Sequence, residues 1–190
     1  MLQLCSLRVQ LRYTKLMLQL SGALLDKPVL SLQTGAPVGT AMGAIINPNN
    51  LKIEGFYCQD RFEKKQTVLL SQDIRDILPQ GLVVNDHHAL TDPEELIRLK
   101  DVLNMKFELI GKSVYTVSKE RVGKVSDFAA DSTSLYIQKL YVSRSILKSL
   151  NTGQLSVDRT NIVEITNKKI VINEILKPTR AGSPATSLAS

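Results

Sequence analysis

At 190 residues, 43% apolar and 22% charged, the chain has an ordinary globular composition and room for one large domain or two small ones. Its two cysteines, Cys5 and Cys58, exclude a disulfide framework and a paired-cysteine zinc site. The most apolar run, 16–25, carries Gln19 and Ser21 and is too short for a membrane span of about 20 residues. Two unpaired thiols fit a reducing compartment, so a cytoplasmic location is expected. Aromatics make up 5% and Trp is absent, so the core must be built from Leu, Ile and Val, which suit a pleated sheet.

Residues 1–16 carry Arg8, Arg12 and Lys15 and no acid. Their basic residues are spread among apolar ones, which fits neither a secretory signal nor an organellar presequence. Two readings stay open: the segment belongs to the natural protein, or it is an upstream extension and Met17 is the natural start. From 17 to 86 short apolar runs alternate with turn residues, Asn47-Pro48-Asn49-Asn50 among them, which predicts a β unit. Over 87–106, Thr91 or Asp92 can cap a helix, Pro93 fits its first turn, and Leu96, Leu99, Val102 and Leu103 form a stripe at helical spacing. That segment is expected to be a connecting helix. Over 107–176 six strand-like runs follow: SVYTV, GKVSDFAAD, LYIQKLYV, QLSVD, NIVEI and KIVIN. The segment 177–190 is rich in Pro, Gly, Ser, Ala and Thr and is expected to be disordered.

The two β stretches are one pattern written twice. Lys27, Val29, Leu30 and Leu32 fall on Lys112, Val114, Tyr115 and Val117, and Val38-Gly39 falls on Val122-Gly123. Further on, Leu51, Ile53 and Tyr57 fall on Leu135, Ile137 and Tyr141, and DIRDILPQGLVVND matches NIVEITNKKIVINE. The offset of 84 to 88 residues is too long for a stacking repeat and suits a small domain. Mainly β structure is expected, as two tandem small β-barrels joined by a short helix. Gly39 and Gly123, inside strand patterns, mark a bulge or bend.

No catalytic constellation stands out, and neither a cofactor nor a metal is expected. His87 and His88 are adjacent, which is poor ligand spacing, and read as exposed linker residues. Phosphate-loop glycine patterns are missing. Charge divides unevenly: 17–86 holds six basic and seven acidic residues, net −1, while 107–176 holds ten and seven, net +3. In the second stretch Lys112, Lys119, Arg121 and Lys124 cluster on the first hairpin, with Arg144, Lys148, Lys168 and Lys169 elsewhere. Lys112, Lys119, Arg121, Lys124, Lys168 and Lys169 are the candidate contacts to RNA or to a partner.

The repeated pattern, with Lys27/Lys112, Val-Gly at Gly39 and Gly123, the Asn47/Asp131 turn and the closing DIRDI and NIVEI, resembles the PRC-barrel family. The resemblance covers about 22–86 and 107–174. It implies a barrel fold related to that of the 16S rRNA maturation factor and of the photosynthetic reaction-centre H subunit. It also implies a non-enzymatic, protein-binding adaptor of bacterial cytoplasm, associated with ribosome maturation or RNA processing. The alternatives are an RNA-binding protein using the basic second unit, and a scaffold for a membrane-associated or cell-division complex without an integral membrane segment of its own.

Overall fold

A computed structural model describes residues 17–143 and 154–174. The expectations about 1–16 and 177–190, and the cations Arg144 and Lys148, lie outside the described residues.

The protein is mainly β. Short strand β1 (Leu18–Leu20) and a single helical turn, α1 (Ser21–Leu24), lead into β2 (Lys27–Ser31), β3 (Pro37–Asn47), β4 (Lys52–Asp60), β5 (Gln66–Leu70), β6 (Ile74–Leu78), β7 (Gly81–Val84) and β8 (Leu90–Thr91). The six runs of the second stretch form β9 (Ser113–Thr116), β10 (Arg121–Asp131), β11 (Ile137–Ser143), β12 (Gln154–Asp158), β13 (Ile162–Ile165) and β14 (Lys169–Ile172). Strands β2 to β8 make one sheet in the order β6-β7-β2-β3-β4-β5-β8, and the other sheet runs β12-β11-β10-β9-β14-β13 with β1 on β10. The paths are the same: each unit contains one parallel pair, β2 with β7 and β9 with β14, in an otherwise antiparallel sheet.

Register repeats as faithfully. Strands β3 and β10 are both 11 residues long, and each carries register shifts at matching places, around Met42 and Ser126 and again at Ile45/Ile46 and Ala129/Ala130. Extra residues at such points bend and twist a strand. Neither sheet closes among the described residues, because the end strands of each path do not pair with one another. The barrel expected from the sequence is, in these pairings, an open curved sheet.

The connection between the units also differs from expectation. Instead of one helix it contains a two-residue strand, β8, successive short turns at Pro93–Glu95 and Ile97–Leu99, and a six-residue helix α2 (Lys100–Met105). Pairing of Leu90 and Thr91 with Leu69 and Val68 pulls the start of the segment into the sheet, and helix forms only after that tether ends. Asp92 caps the first turn by accepting from the Glu94 N–H at 3.1 Å. The predicted stripe Leu96, Leu99, Val102 and Leu103 is only half-buried, and Ile97 is exposed.

One apolar core runs through both units, from Val29, Phe56 and Leu69 to Val114, Phe128 and Ile170. The units meet at their hairpin tips. The Ile53 N–H donates to the Leu135 carbonyl at 2.9 Å and the Ile137 N–H donates to the Leu51 carbonyl at 2.8 Å, a reciprocal pair. Leu51 and Leu135 both adopt left-handed backbone (φ 54° and 56°) and are both buried. That conformation costs an L-residue about 1–2 kcal/mol; burial of the two leucines offsets it. No helix among the described residues is long and apolar enough to cross a membrane.

Candidate functional site

Residues directly opposite across paired strands share a sheet face, as do alternate residues along a strand. Following the register of the second sheet, Lys169, Ser113, Lys124, Ser143 and Gln154 form one row on one face. Glu164, Val171, Tyr115 and Arg121 form the next row on the same face. Buried residues Val114, Thr116, Ile170 and Ile172 lie on the other face, towards the core. Lys119 stands in the β9–β10 turn and Lys168 just before β14. Five of the six sequence candidates, Lys119, Arg121, Lys124, Lys168 and Lys169, are thus exposed around one strand surface, and none of the five is in an ion pair with another described residue. Lys119, Lys168 and Lys169 line a shallow concavity of about 540 Å³ with Tyr115, Glu164 and Val171.

Lys112 is placed differently. Its ammonium donates to the Asn167 carbonyl at 2.8 Å and lies 4.3 Å from the Phe107 ring centroid. Partial burial lowers its pKa, against a raising pull from Glu108. Such a lysine braces the β13–β14 turn and is not free for an outside ligand.

The glycines are places of close backbone approach. A Cβ on Gly123 would stand 2.0 Å from the Ser143 carbonyl oxygen, and one on Gly39 would stand 2.9 Å from that of Gln59. In both units the preceding valine, Val38 or Val122, is the extra residue of a register shift.

Sequence reasoning missed one polar cluster. The Asp60 carboxylate, buried at the end of β4, meets His87 Nε2 at 2.5 Å and accepts the N–H groups of Phe62 (2.7 Å) and Glu63 (2.9 Å). Phe62 packs edge-on against the His87 ring at 5.1 Å. Burial raises the Asp60 pKa, but the Glu63 N–H, His87 and the Phe62 N–H together outweigh it and hold the carboxyl below its ordinary range. The pair is a latch that ties the end of β4, and through Phe62 and Glu63 the β4–β5 loop, to the β7–β8 connection. The partners are 27 residues apart, and no local spacing in the sequence announces them. Among the described residues, no group of three or more His, Cys, Asp and Glu side chains is gathered where it could hold a metal.

The chain matches no protein-family model and no curated protein sequence. The internal copy is therefore the most informative comparison. Where the second unit has Lys169, Lys124 and Arg121, the first has Gly81, Thr40 and Pro37 at the equivalent register positions. Where the second has Lys119 with φ 67°, the first has Gly35 with φ 66°. The same backbone thus presents a basic face in one copy and a neutral one in the other.

Proposed function

We propose that this protein is a non-enzymatic interaction adaptor of the bacterial cytoplasm, made of two PRC-type units, each a partly open barrel. The second unit docks an acidic protein partner on the face of β9, β10 and β14. The observation that carries the reading is the register-matched substitution of cations for neutral residues between the copies. Lys119 sharpens it, because a lysine in left-handed backbone costs about 1 kcal/mol that the glycine of the first unit avoids. Half-buried Tyr115 and Val171 between the cations provide the apolar centre with a charged rim that protein interfaces use.

RNA is the second reading. It is favoured by five cations with no carboxylate partner among the described residues and by the ring of Tyr115 among them. Capture from native lysate with and without nuclease separates the two. The adaptor reading expects an acidic protein that survives nuclease and is lost when Arg121, Lys124 and Lys169 are changed to Gln. Nuclease-sensitive capture moves the assignment to RNA, and capture indifferent to the three changes removes the basic face from the function.

A further inference from the structure

The long strands β3 and β10 each extend beyond the strand beside them. Strand β2 covers β3 only as far as Ala41, and β9 covers β10 only as far as Lys124. In the second sheet the remaining margin is taken by β1, with Leu18, Gln19 and Leu20 opposite Asp131, Ala130 and Ala129. The next residue, Ser21, donates its hydroxyl to Asp127 Oδ1 at 2.5 Å. The equivalent margin of the first sheet is Ile45, Ile46 and Asn47, with Gly43 in the place of Asp127, since both residues pair with the matching tyrosine, Tyr57 or Tyr141. At the offset that puts Lys27 on Lys112, the counterpart of β1 is 103–105, which is the end of α2. No backbone hydrogen bond joins 103–105 to β3 among the described residues. Between α2 and β3 lies a cavity of about 700 Å³ lined by Gly43, Ala44, Ile45, Ile46, Val102 and Phe107.

The chain carries a second copy of the sequence of the strand that takes the matching place. Met1-Leu2-Gln3-Leu4 is identical to Met17-Leu18-Gln19-Leu20. We propose that Met1–Leu4 adds as a short strand to the margin of β3 at Ile45–Asn47, beside this cavity, as Leu18–Leu20 adds to the margin of β10. The tether is adequate. The Met17 carbonyl accepts from the Ser132 N–H at 2.9 Å, and the tip that holds Ser132 is the one bonded to the end of the β3–β4 hairpin through Leu135 and Ile53. Residues 5–16 supply twelve residues of chain, enough for about 40 Å when extended. The main-chain bonds of an added strand give affinity, and alternate side chains give specificity. Leu2 would take the half-buried place that Leu18 holds beside β10, Leu4 the exposed place of Leu20, and Cys5 would arrive where Ser21 stands, beside position 43.

The test uses that last consequence. Position 43 has room for a side chain, since a Cβ there would sit 3.7 Å from the nearest atom of Tyr57. In the full chain carrying Gly43→Cys, mild oxidation is expected to join Cys5 to the introduced thiol within one molecule, as two thiols brought within disulfide reach. Buried Cys58, its thiol pushed up to about 12, stays out of the exchange. Leu32→Cys, exposed and on another part of the unit, serves as the control. The cross-link should be lost when Leu2 and Leu4 are changed to Asp. Cross-linked dimers would assign the slot to a second copy and overturn the proposal, as would a yield from Gly43→Cys no higher than that from the Leu32→Cys control. Hydrogen exchange of the unsubstituted protein gives an independent reading. Removing 1–16 is expected to speed exchange at 43–47 and leave 129–131 unchanged; identical exchange with and without 1–16 would also overturn it.

Discussion

The two units share a strand path, a register and a pair of bulges, yet they differ on one face in charge and along one long strand in what lies against it. Positions that set backbone geometry were kept in both copies: Gly39 and Gly123, the extra valines Val38 and Val122, and the left-handed leucines Leu51 and Leu135. Positions of the charged face diverged, with buried Gly81, half-buried Thr40 and Pro37, and exposed Gly35 against the exposed Lys169, Lys124, Arg121 and Lys119. The core diverged in a compensated way. Ala44 opposite Phe56 in the first unit corresponds to Phe128 opposite Leu140 in the second, so the large ring stands on the other strand of the pair. Duplication preserved the frame and left the surface free to specialise.

The hardest break of this comparison is in the core. Phe56→Ala and Phe128→Ala are each expected to cost about 3–5 kcal/mol, measured by urea or thermal unfolding. Because one apolar cluster spans both units, each change should lower a single cooperative transition; two separate transitions would show the units to be energetically independent. Next come the glycines. Gly123→Ala is expected to cost about 1–3 kcal/mol, since the added carbon meets the Ser143 carbonyl at 2.0 Å, and Gly39→Ala less, its carbon meeting that of Gln59 at 2.9 Å.

The latch in the first unit has no described counterpart in the second, and acid should reveal it. The folded-state pKa of Asp60 is depressed, so its contribution is present above the unfolded carboxyl value of about 3.9 and is lost as pH falls through the lower folded value. Asp60→Asn should therefore destabilise the protein at neutral pH, by about 1–3 kcal/mol for a broken buried network, and flatten the acid limb of its stability curve. An unchanged acid limb would remove Asp60 from that role. The smallest effect is at Lys119. Lys119→Gly relieves left-handed strain and is expected to leave stability unchanged or raised by about 1 kcal/mol, while weakening capture of the partner and its dependence on salt.

The cysteine described by the structure is a further probe of the first unit. Cys58 is buried and its thiol is pushed up to about 12 by burial, against a smaller lowering by the Leu69 backbone. It should resist alkylation at pH 8 until the protein unfolds.

Much of this protein can be read from its residues in order. Alternation and turn chemistry place the six strands of the second unit, and self-similarity predicts that the first follows the same path, because strand period and hairpin turns are local properties. The basic character of the second unit is likewise a matter of composition. Only tertiary structure decided the rest. It broke the expected connecting helix by drawing Leu90 and Thr91 into a sheet, and it separated Lys112, bound to Asn167, from the five cations that share an open face. It joined Asp60 to His87, and it crossed β1 from the first unit to the edge of the second. Each of these depends on which backbone or side-chain group arrives beside another from far along the chain, and the periodicity of a sequence carries no record of that meeting.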